Sequence, residues 1–479
     1  MQRTFGVPAV LAAMAAIVGC ADSPVQPVSR SAPTPQATTT TGPGTHLVVF
    51  KAGAVPTDFA TKVAALGGTV ERELRSVGAA TVNGLSDAAL ATLQSDALVS
   101  VVEPEMVHAL PDARLTANPV STDVGPASPA DPATAFFFPR QWHLRAIGAD
   151  RAWTAGLTGA GAVTVAILDT GIGYTHADLA GRVDLARSVS FVPADDAYVL
   201  AFFPGAHLIA DIGYHGTHVA ATVASNAVAA GGVTSRTTLM GVKVCSVATG
   251  GCPSGAVFAG IQHAVENGAN IINMSLAGAF QRSAFPGYVA VLNRLFGYAR
   301  QRGVTVVVAA GNAHADLDRS LYPDENGVLT HYPSLYATYC TTTHNICVSA
   351  TGPTSSAGVT GPWTNVDAPA SYSNFGRSVI NVAAPGGTGA GPVWAACSPF
   401  SLVVPVCQTG TYVVGLTGTS MATPHVAGVA ALIMAQQGIL PPSPITSILQ
   451  QTADDLGIAG TDPFYGKGRI NAARALGVN

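Results

Sequence analysis

Three short stretches of the chain carry side chains able to do nucleophilic chemistry. Asp169-Thr170-Gly171 follows directly on an apolar run, Val163–Leu168. A carboxylate closing a buried strand is fixed by the sheet and partly stripped of water, although an aspartate there also serves as an ordinary turn cap. Tyr214-His215-Gly216-Thr217-His218 sets two imidazoles three residues apart. A metal pair would need a third ligand and the glutamate of an H-E-x-x-H helix, and neither is near. A general-base imidazole at a helix start is the better reading of His215. Gly418-Thr419-Ser420-Met421-Ala422-Thr423-Pro424-His425 opens a long apolar stretch. Ser420 there stands at the positive end of a helix dipole, where an oxyanion is stabilised; alone it would read as an N-cap. Pro424 is expected in the first turn, where no N–H is needed. Together the three supply an acid, a base and a nucleophile.

These side chains need a rigid frame, and the apolar pattern provides one. Val163–Leu168, Leu239–Val244, Ile271–Ser275, Val304–Ala309 and Val379–Val382 are short and nearly all apolar, as strands buried on both faces of a parallel sheet are. Helical stretches alternate with them: His218–Ser225, Ala256–Glu266, Val289–Arg302 and Ser420–Gln436. The fold class expected is α/β, a doubly wound, mostly parallel sheet flanked by helices over residues 141–479. Its chemistry belongs at the carboxyl ends of the strands. Residues 46–110 have a different texture, βαββαβ, with Ser86 as a helix N-cap, which predicts a small α+β ferredoxin-like unit. Residues 111–140 are Pro-rich and read as a linker.

Composition excludes several classes. Of 479 residues, 48 % are hydrophobic and only 10 % charged, with net charge −4, which rules out disorder and a basic nucleic-acid binder. No apolar run reaches about 18 residues outside the N-terminus, so a polytopic membrane protein is excluded. Residues 1–20 pair Arg3 with a 13-residue apolar core, Val7–Gly19, too short to span a membrane. They end Ile17-Val18-Gly19-Cys20, which resembles a bacterial lipobox with Cys20 as the lipidated residue. Export follows, with residues 21–45 as a Pro/Ser/Thr-rich tether. Seven cysteines is an odd count. With Cys20 set aside, six remain, in local pairs Cys245/Cys252, Cys340/Cys347 and Cys397/Cys407. Fifteen connectivities are open in principle; close spacing favours these three, and no pair has zinc-site spacing.

Taken together, D-T-G, H-G-T-H-V-A and G-T-S-M-A-T-P-H-V-A-G resemble the three signatures of the subtilisin-like serine proteases, in that family's chain order. The resemblance covers about residues 141–479. It implies a serine endopeptidase with Asp169, His215 and Ser420 as triad, and His218 and His425 as structural residues. Asn312 of Ala309-Ala310-Gly311-Asn312 would join the Ser420 N–H in an oxyanion hole. Ser275-Leu276-Ala277-Gly278 resembles the segment forming one wall of the substrate pocket, with Ala309, Ala310 and Gly311 as the other. Small apolar walls imply broad specificity with an apolar or aromatic residue before the scissile bond; Ala277, where the family has Gly, alters pocket depth. Residues 46–110 resemble the family's inhibitory propeptide, which implies a self-processing zymogen cut between about Val107 and Gln141. Tyr174-Thr175-His176-Ala177-Asp178-Leu179 resembles a turn whose aspartate often ligates structural calcium, but Ala177 stands where the family has Pro and the partner loop 226–233 does not match, which leaves a calcium at Asp178 open; catalysis needs no cofactor. The expected partners are protein or peptide substrates and the chain's own propeptide, with no nucleic acid. A monomer is expected, membrane-bound only through lipid before processing and extracellular or periplasmic afterwards. The competing readings are a catalytically silent binding module of the same fold and an inhibitor acting through residues 46–110.

Overall fold

The computed structural model describes residues 44–110, 114–121, 127–333 and 335–478. The export segment with Cys20 and nearly all of the tether lie outside the described residues.

The first unit runs β1 (His46–Phe50), α1 (Phe59–Ala65), β2 (Thr69–Leu74), β3 (Ala79–Asn83), α2 (Asp87–Gln94) and β4 (Val99–Pro104). Its sheet has the order β2-β3-β1-β4 with every neighbour antiparallel. Ser86 caps α2, accepting from the Ala89 N–H. Period-two alternation sends β1 both ways. Val48 and Phe50 join Phe59, Val63 and Leu93 under the unit's own helices. Leu47 and Val49 face outward and share a core with Val257, Ile261, Leu292 and Leu295 of two helices of the large domain. Two buried carboxylates complete that junction. Glu103 accepts from the N–H groups of Gly287 and Tyr288 at the start of the Pro286–Gln301 helix. Glu105 accepts from Gly255 N–H at the start of the Ser254–Glu266 helix. Carboxylates at helix N-termini satisfy orphan donors and complement the dipole. Burial nevertheless pushes both pKa values up.

Two strands follow, β5 (Val107–Ala109) and β6 (Arg114–Ser121). The segment expected as a plain linker therefore contains a strand, and β6 is the outer member of a three-stranded sheet with Val393–Ala396 and Tyr412–Thr417.

The large domain contributes β7 (Thr164–Asp169), β8 (Val189–Ser190), β9 (Thr238–Lys243), β10 (Gly251–Pro253), β11 (Ile271–Met274), β12 (Gly278–Gln281) and β13 (Thr305–Ala309). The central sheet has the order Ala368–Pro369, Ile346–Gly352, β13, β11, β7, β9, β8, with Val382–Pro385 also on Ile346–Gly352. All pairs are parallel except that of Ala368–Pro369. The strand expected at Val379–Val382 lies at Val382–Pro385. Strand β7 is buried throughout. Val165 and Ile167 pack with the His215–Val223 and Thr419–Gln437 helices; Ala166 and Leu168 pack with the helices on the opposite face. The Thr419–Gln437 helix is buried from Thr419 to Met434, which is why its sequence is apolar all round. Among the described residues no single helix is long and apolar enough to cross a membrane. Disulfides join Cys245 to Cys252, Cys340 to Cys347 and Cys397 to Cys407.

Candidate active site

Asp169 ends β7, His215 begins its helix and Ser420 lies in the first turn of the Thr419–Gln437 helix, all buried. His215 Nδ1 lies 2.7 Å from Asp169 Oδ1, which also accepts from Thr170 N–H. A carboxylate accepts, so Nδ1 carries the proton and Nε2 presents a lone pair; Nε2 has no hydrogen-bond partner among the described residues.

Behind this pair stands a second carboxylate. Asp211 Oδ1 accepts from Thr170 Oγ1 (3.0 Å) and Gly213 N–H (2.9 Å). Its Oδ2 accepts from Thr217 N–H (3.0 Å) and Thr217 Oγ1 (2.7 Å). Thr170 Oγ1 in turn accepts from Gly216 N–H. Asp211 thus ties the loop after Asp169 to the helix that begins at His215. Burial, opposed by these hydrogen bonds and reinforced by the Asp169 charge, pushes its pKa up to about 6. Sequence reasoning passed over Asp211; its signal was a carboxylate four residues before His215.

Ser420 Oγ donates to Ser275 O at 3.1 Å, so it must rotate to reach an imidazole acceptor. Catalytic hydrogen bonds often tighten only in complexes. Pro424 sits in the second turn, not the first as expected, and lacks the N–H that would bond the Ser420 carbonyl. Ser275 Oγ takes over that carbonyl at 2.7 Å, while accepting from Asn273 Nδ2. The proline is tolerated because a neighbouring hydroxyl replaces the missing donor. Ser275 is therefore turned toward the Ser420 helix.

Asn312 follows β13. Its Oδ1 accepts from Thr419 N–H (2.9 Å) and Thr419 Oγ1 (2.8 Å), which commits the oxygen end of the amide and points Nδ2 the other way. The Ala309–Gly311 wall is braced by Asn374, whose Nδ2 donates to Ala310 O and whose Oδ1 accepts from Ala313 and Ala315 N–H. Asn374 has no local motif to betray it. Gly311 has φ +101°, and a Cβ there would lie 3.3 Å from Ala277 Cβ. The two predicted walls thus face each other closely. Leu276 is buried in the core, and Gly278 opens β12.

His218 and His425 are buried away from this chemistry. His218 Nε2 bonds Val393 O, and burial holds its pKa down at about 3. His425 Nδ1–H donates to Met421 O, so its Nε2 accepts from His143 Nδ1 at 2.8 Å; burial lowers the His425 pKa to about 4.

A calcium ion at Asp178, left open by the sequence, does not fit the donors around it. Asp178 Oδ1 accepts from Val228 and Ala229 N–H, and Oδ2 from Ala230 N–H, at 2.8–3.0 Å. Three N–H dipoles point their positive ends where a cation would have to bind. No cluster of three or more acidic, histidine or cysteine side chains suited to a metal occurs among the described residues.

A parallel sheet covered on both faces, with an Asp-bound imidazole and a serine at a helix N-terminus, defines the class of serine hydrolases. Comparison with known proteins narrows this. The subtilase family model matches residues 160–468. Thermitase of Thermoactinomyces vulgaris is 33 % identical over 352 residues, 73 % of this chain and 99 % of that one. Subtilisin Savinase of Lederbergia lenta is 32 % identical over 336 residues, 70 % of this chain and 97 % of that one. Among solved structures, the epidermin leader peptide processing serine protease of Staphylococcus aureus has TM-score 0.68 at 19 % identity, covering 91 % of this chain and 98 % of that one. Fervidolysin of Fervidobacterium pennivorans has TM-score 0.61 at 24 % identity, covering 91 % and 61 %. The chain belongs to the subtilase family and is a serine endopeptidase.

Proposed function

We propose that this protein is an exported, self-processing zymogen that hydrolyses peptide bonds through Asp169, His215 and Ser420. The observation that carries this is the 2.7 Å bond from His215 to Asp169, which fixes the tautomer and leaves Nε2 as base. His215 Nε2 takes the Ser420 proton as Oγ bonds the substrate carbonyl carbon. The carbonyl oxygen becomes an oxyanion held by Asn312 Nδ2 and Ser420 N–H at the helix N-terminus. The imidazolium, stabilised by Asp169, then protonates the leaving amine, the C–N bond breaks and an acyl-enzyme forms. Water releases the acid by the same steps. Ser275–Gly278 and Ala309–Gly311 form the pocket for an apolar or aromatic side chain, which Ala277 makes shallow.

Residues 46–110 act as the inhibitory propeptide. Their docking through Glu103 and Glu105, and the pairing of β5 with β10, support this. Leu110 N–H bonds Gly250 O, and Arg114 pairs with Thr417, three residues before Ser420. These pairings support self-cleavage between Leu110 and Arg114, within the stretch 107–141. With Cys20 lipidated, the anchor lies on the propeptide side of that bond, so processing frees the catalytic domain from the membrane unless the cleaved propeptide stays docked.

The test is expression of wild type and Ser420→Ala, followed by intact mass, fractionation and labelling with a fluorophosphonate. Wild type should be cut near residue 112, labelled at Ser420 and soluble; Ser420→Ala should stay full-length and membrane-bound. A processed wild-type protein that does not label would refute the mechanism. A full-length, membrane-bound wild type would refute release.

A further inference from the structure

The bond proposed to be cut lies between two strands that pair with the large domain, and the second is built to stay. Ahead of that bond, β5 pairs antiparallel with β10, Ala109 opposite Gly251 and His108 opposite Cys252. Beyond it, β6 pairs antiparallel with Tyr412–Thr417 from Arg114 opposite Thr417 to Ser121 opposite Tyr412. That partner strand leads directly into Gly418 and Ser420. β5 thus lies on the acyl side of the scissile bond and β6 on the leaving-group side.

Among the described residues, β6 is held by contacts that lie beyond the bond to be cut. Thr116 Oγ1 donates to Gly415 O at 3.1 Å. Ala117 and Val120 pack against Phe137, Ala229, Ala230, Trp394 and Val413. The chain after it is tied down again, Ser128 N–H to Asn226 O and Phe137 N–H to Ala229 O. Pro119 and the irregular register between Val413 and Gly415 mark an edge strand that ends the sheet.

We infer that β6 remains in place after processing as the first strand of the mature enzyme and limits how much chain a substrate can carry past its scissile bond. The backbone edge of Tyr412–Thr417, which would otherwise pair with the departing half of a substrate, is taken by the enzyme's own strand. The enzyme selects substrates with a short departing segment over long ones. This rests on Ser420 being the nucleophile and on cleavage between Leu110 and Arg114.

The experiment compares two substrates with the same acyl half, one a peptide p-nitroanilide and one extended by six residues past the scissile bond. They are given to processed wild type and to Thr116→Val/Val120→Asp, which removes the Thr116 bond to Gly415 and the apolar anchor. The ratio of kcat/KM, extended over short, should rise about tenfold in the variant. A ratio within about twofold of wild type overturns the inference. Independently of the variant's folding, N-terminal sequencing of mature wild type should begin between residues 111 and 114; a start after Ser121 overturns it as well. Failure of processed wild type to hydrolyse the p-nitroanilide or to label at Ser420 would instead refute the nucleophile assignment, and the inference with it.

Discussion

Asp211→Asn separates what the second carboxylate does for folding from what it does for catalysis. The side chain keeps its shape and loses its charge. Asp211 is fully buried, and its pKa of about 6 stands some two units above the ordinary 3.8. At 1.36 kcal/mol per unit, ionising it in the folded protein costs about 3 kcal/mol by pH 7. The amide escapes that cost. It also presents an NH₂ where Gly213 or Thr217 N–H now finds an acceptor, and one orphaned buried donor costs about 1–3 kcal/mol. The two effects nearly cancel, so unfolding stability at pH 7 should change by no more than about 2 kcal/mol. Activity has no such compensation. Thr170 and Thr217 lose their common anchor, and with them the alignment of Asp169 with His215. A displacement approaching 1 Å costs up to about 10²-fold, so kcat should fall about 10- to 100-fold with KM little changed.

The pH dependence supplies the sign. A carboxyl whose folded pKa is raised contributes stability that is fully present below its unfolded pKa and lost as pH rises through the folded one. Wild type should therefore lose about 2–3 kcal/mol relative to Asp211→Asn between pH 4 and pH 7. Urea unfolding of both in a Ser420→Ala background, where self-digestion is absent, reads this difference, and p-nitroanilide kinetics of the active forms reads kcat. A kcat within about twofold of wild type would reduce Asp211 to a folding residue. A stability difference flat from pH 4 to 7 would refute the burial argument itself.

Three further outcomes follow from the same geometry. Asn312→Ala should lower kcat about 10²–10³-fold with KM within a few-fold, measured on the same p-nitroanilide. Chelation with EGTA should leave the thermal midpoint unchanged, whereas Asp178→Ala, which orphans the N–H groups of Val228, Ala229 and Ala230, should cost about 3 kcal/mol or more in urea unfolding. Ala277→Gly, which removes the methyl facing Gly311, should raise kcat/KM for a Phe substrate relative to an Ala one by about tenfold.

What could be read from the sequence and what could not divide along a physical line. Asp169, His215 and Ser420 stand where a buried strand ends or a helix begins, and such junctions have local composition; their roles, and that of Asn312, were read only through the family resemblance. The three disulfides were visible because seven or ten residues separate their ends. The βαββαβ unit was visible through alternation, Leu47 and Val49 one way, Val48 and Phe50 the other. β6 was not: with Pro119 and exposed residues it is a strand only because Tyr412–Thr417, some three hundred residues on, offers it an edge. Asp178 shows the deeper reason. Its motif suggested an oxygen ligand for a cation, but the partners are three main-chain N–H groups, which no letter of the sequence records. The same holds for the N–H groups that Glu103 and Glu105 cap and for the Ser420 carbonyl that Ser275 satisfies in place of Pro424. Side chains announce the chemistry a site can do; the backbone groups they must satisfy decide whether a carboxylate ends as a metal ligand, a helix cap or a brace, and those groups become known only when distant segments are brought together.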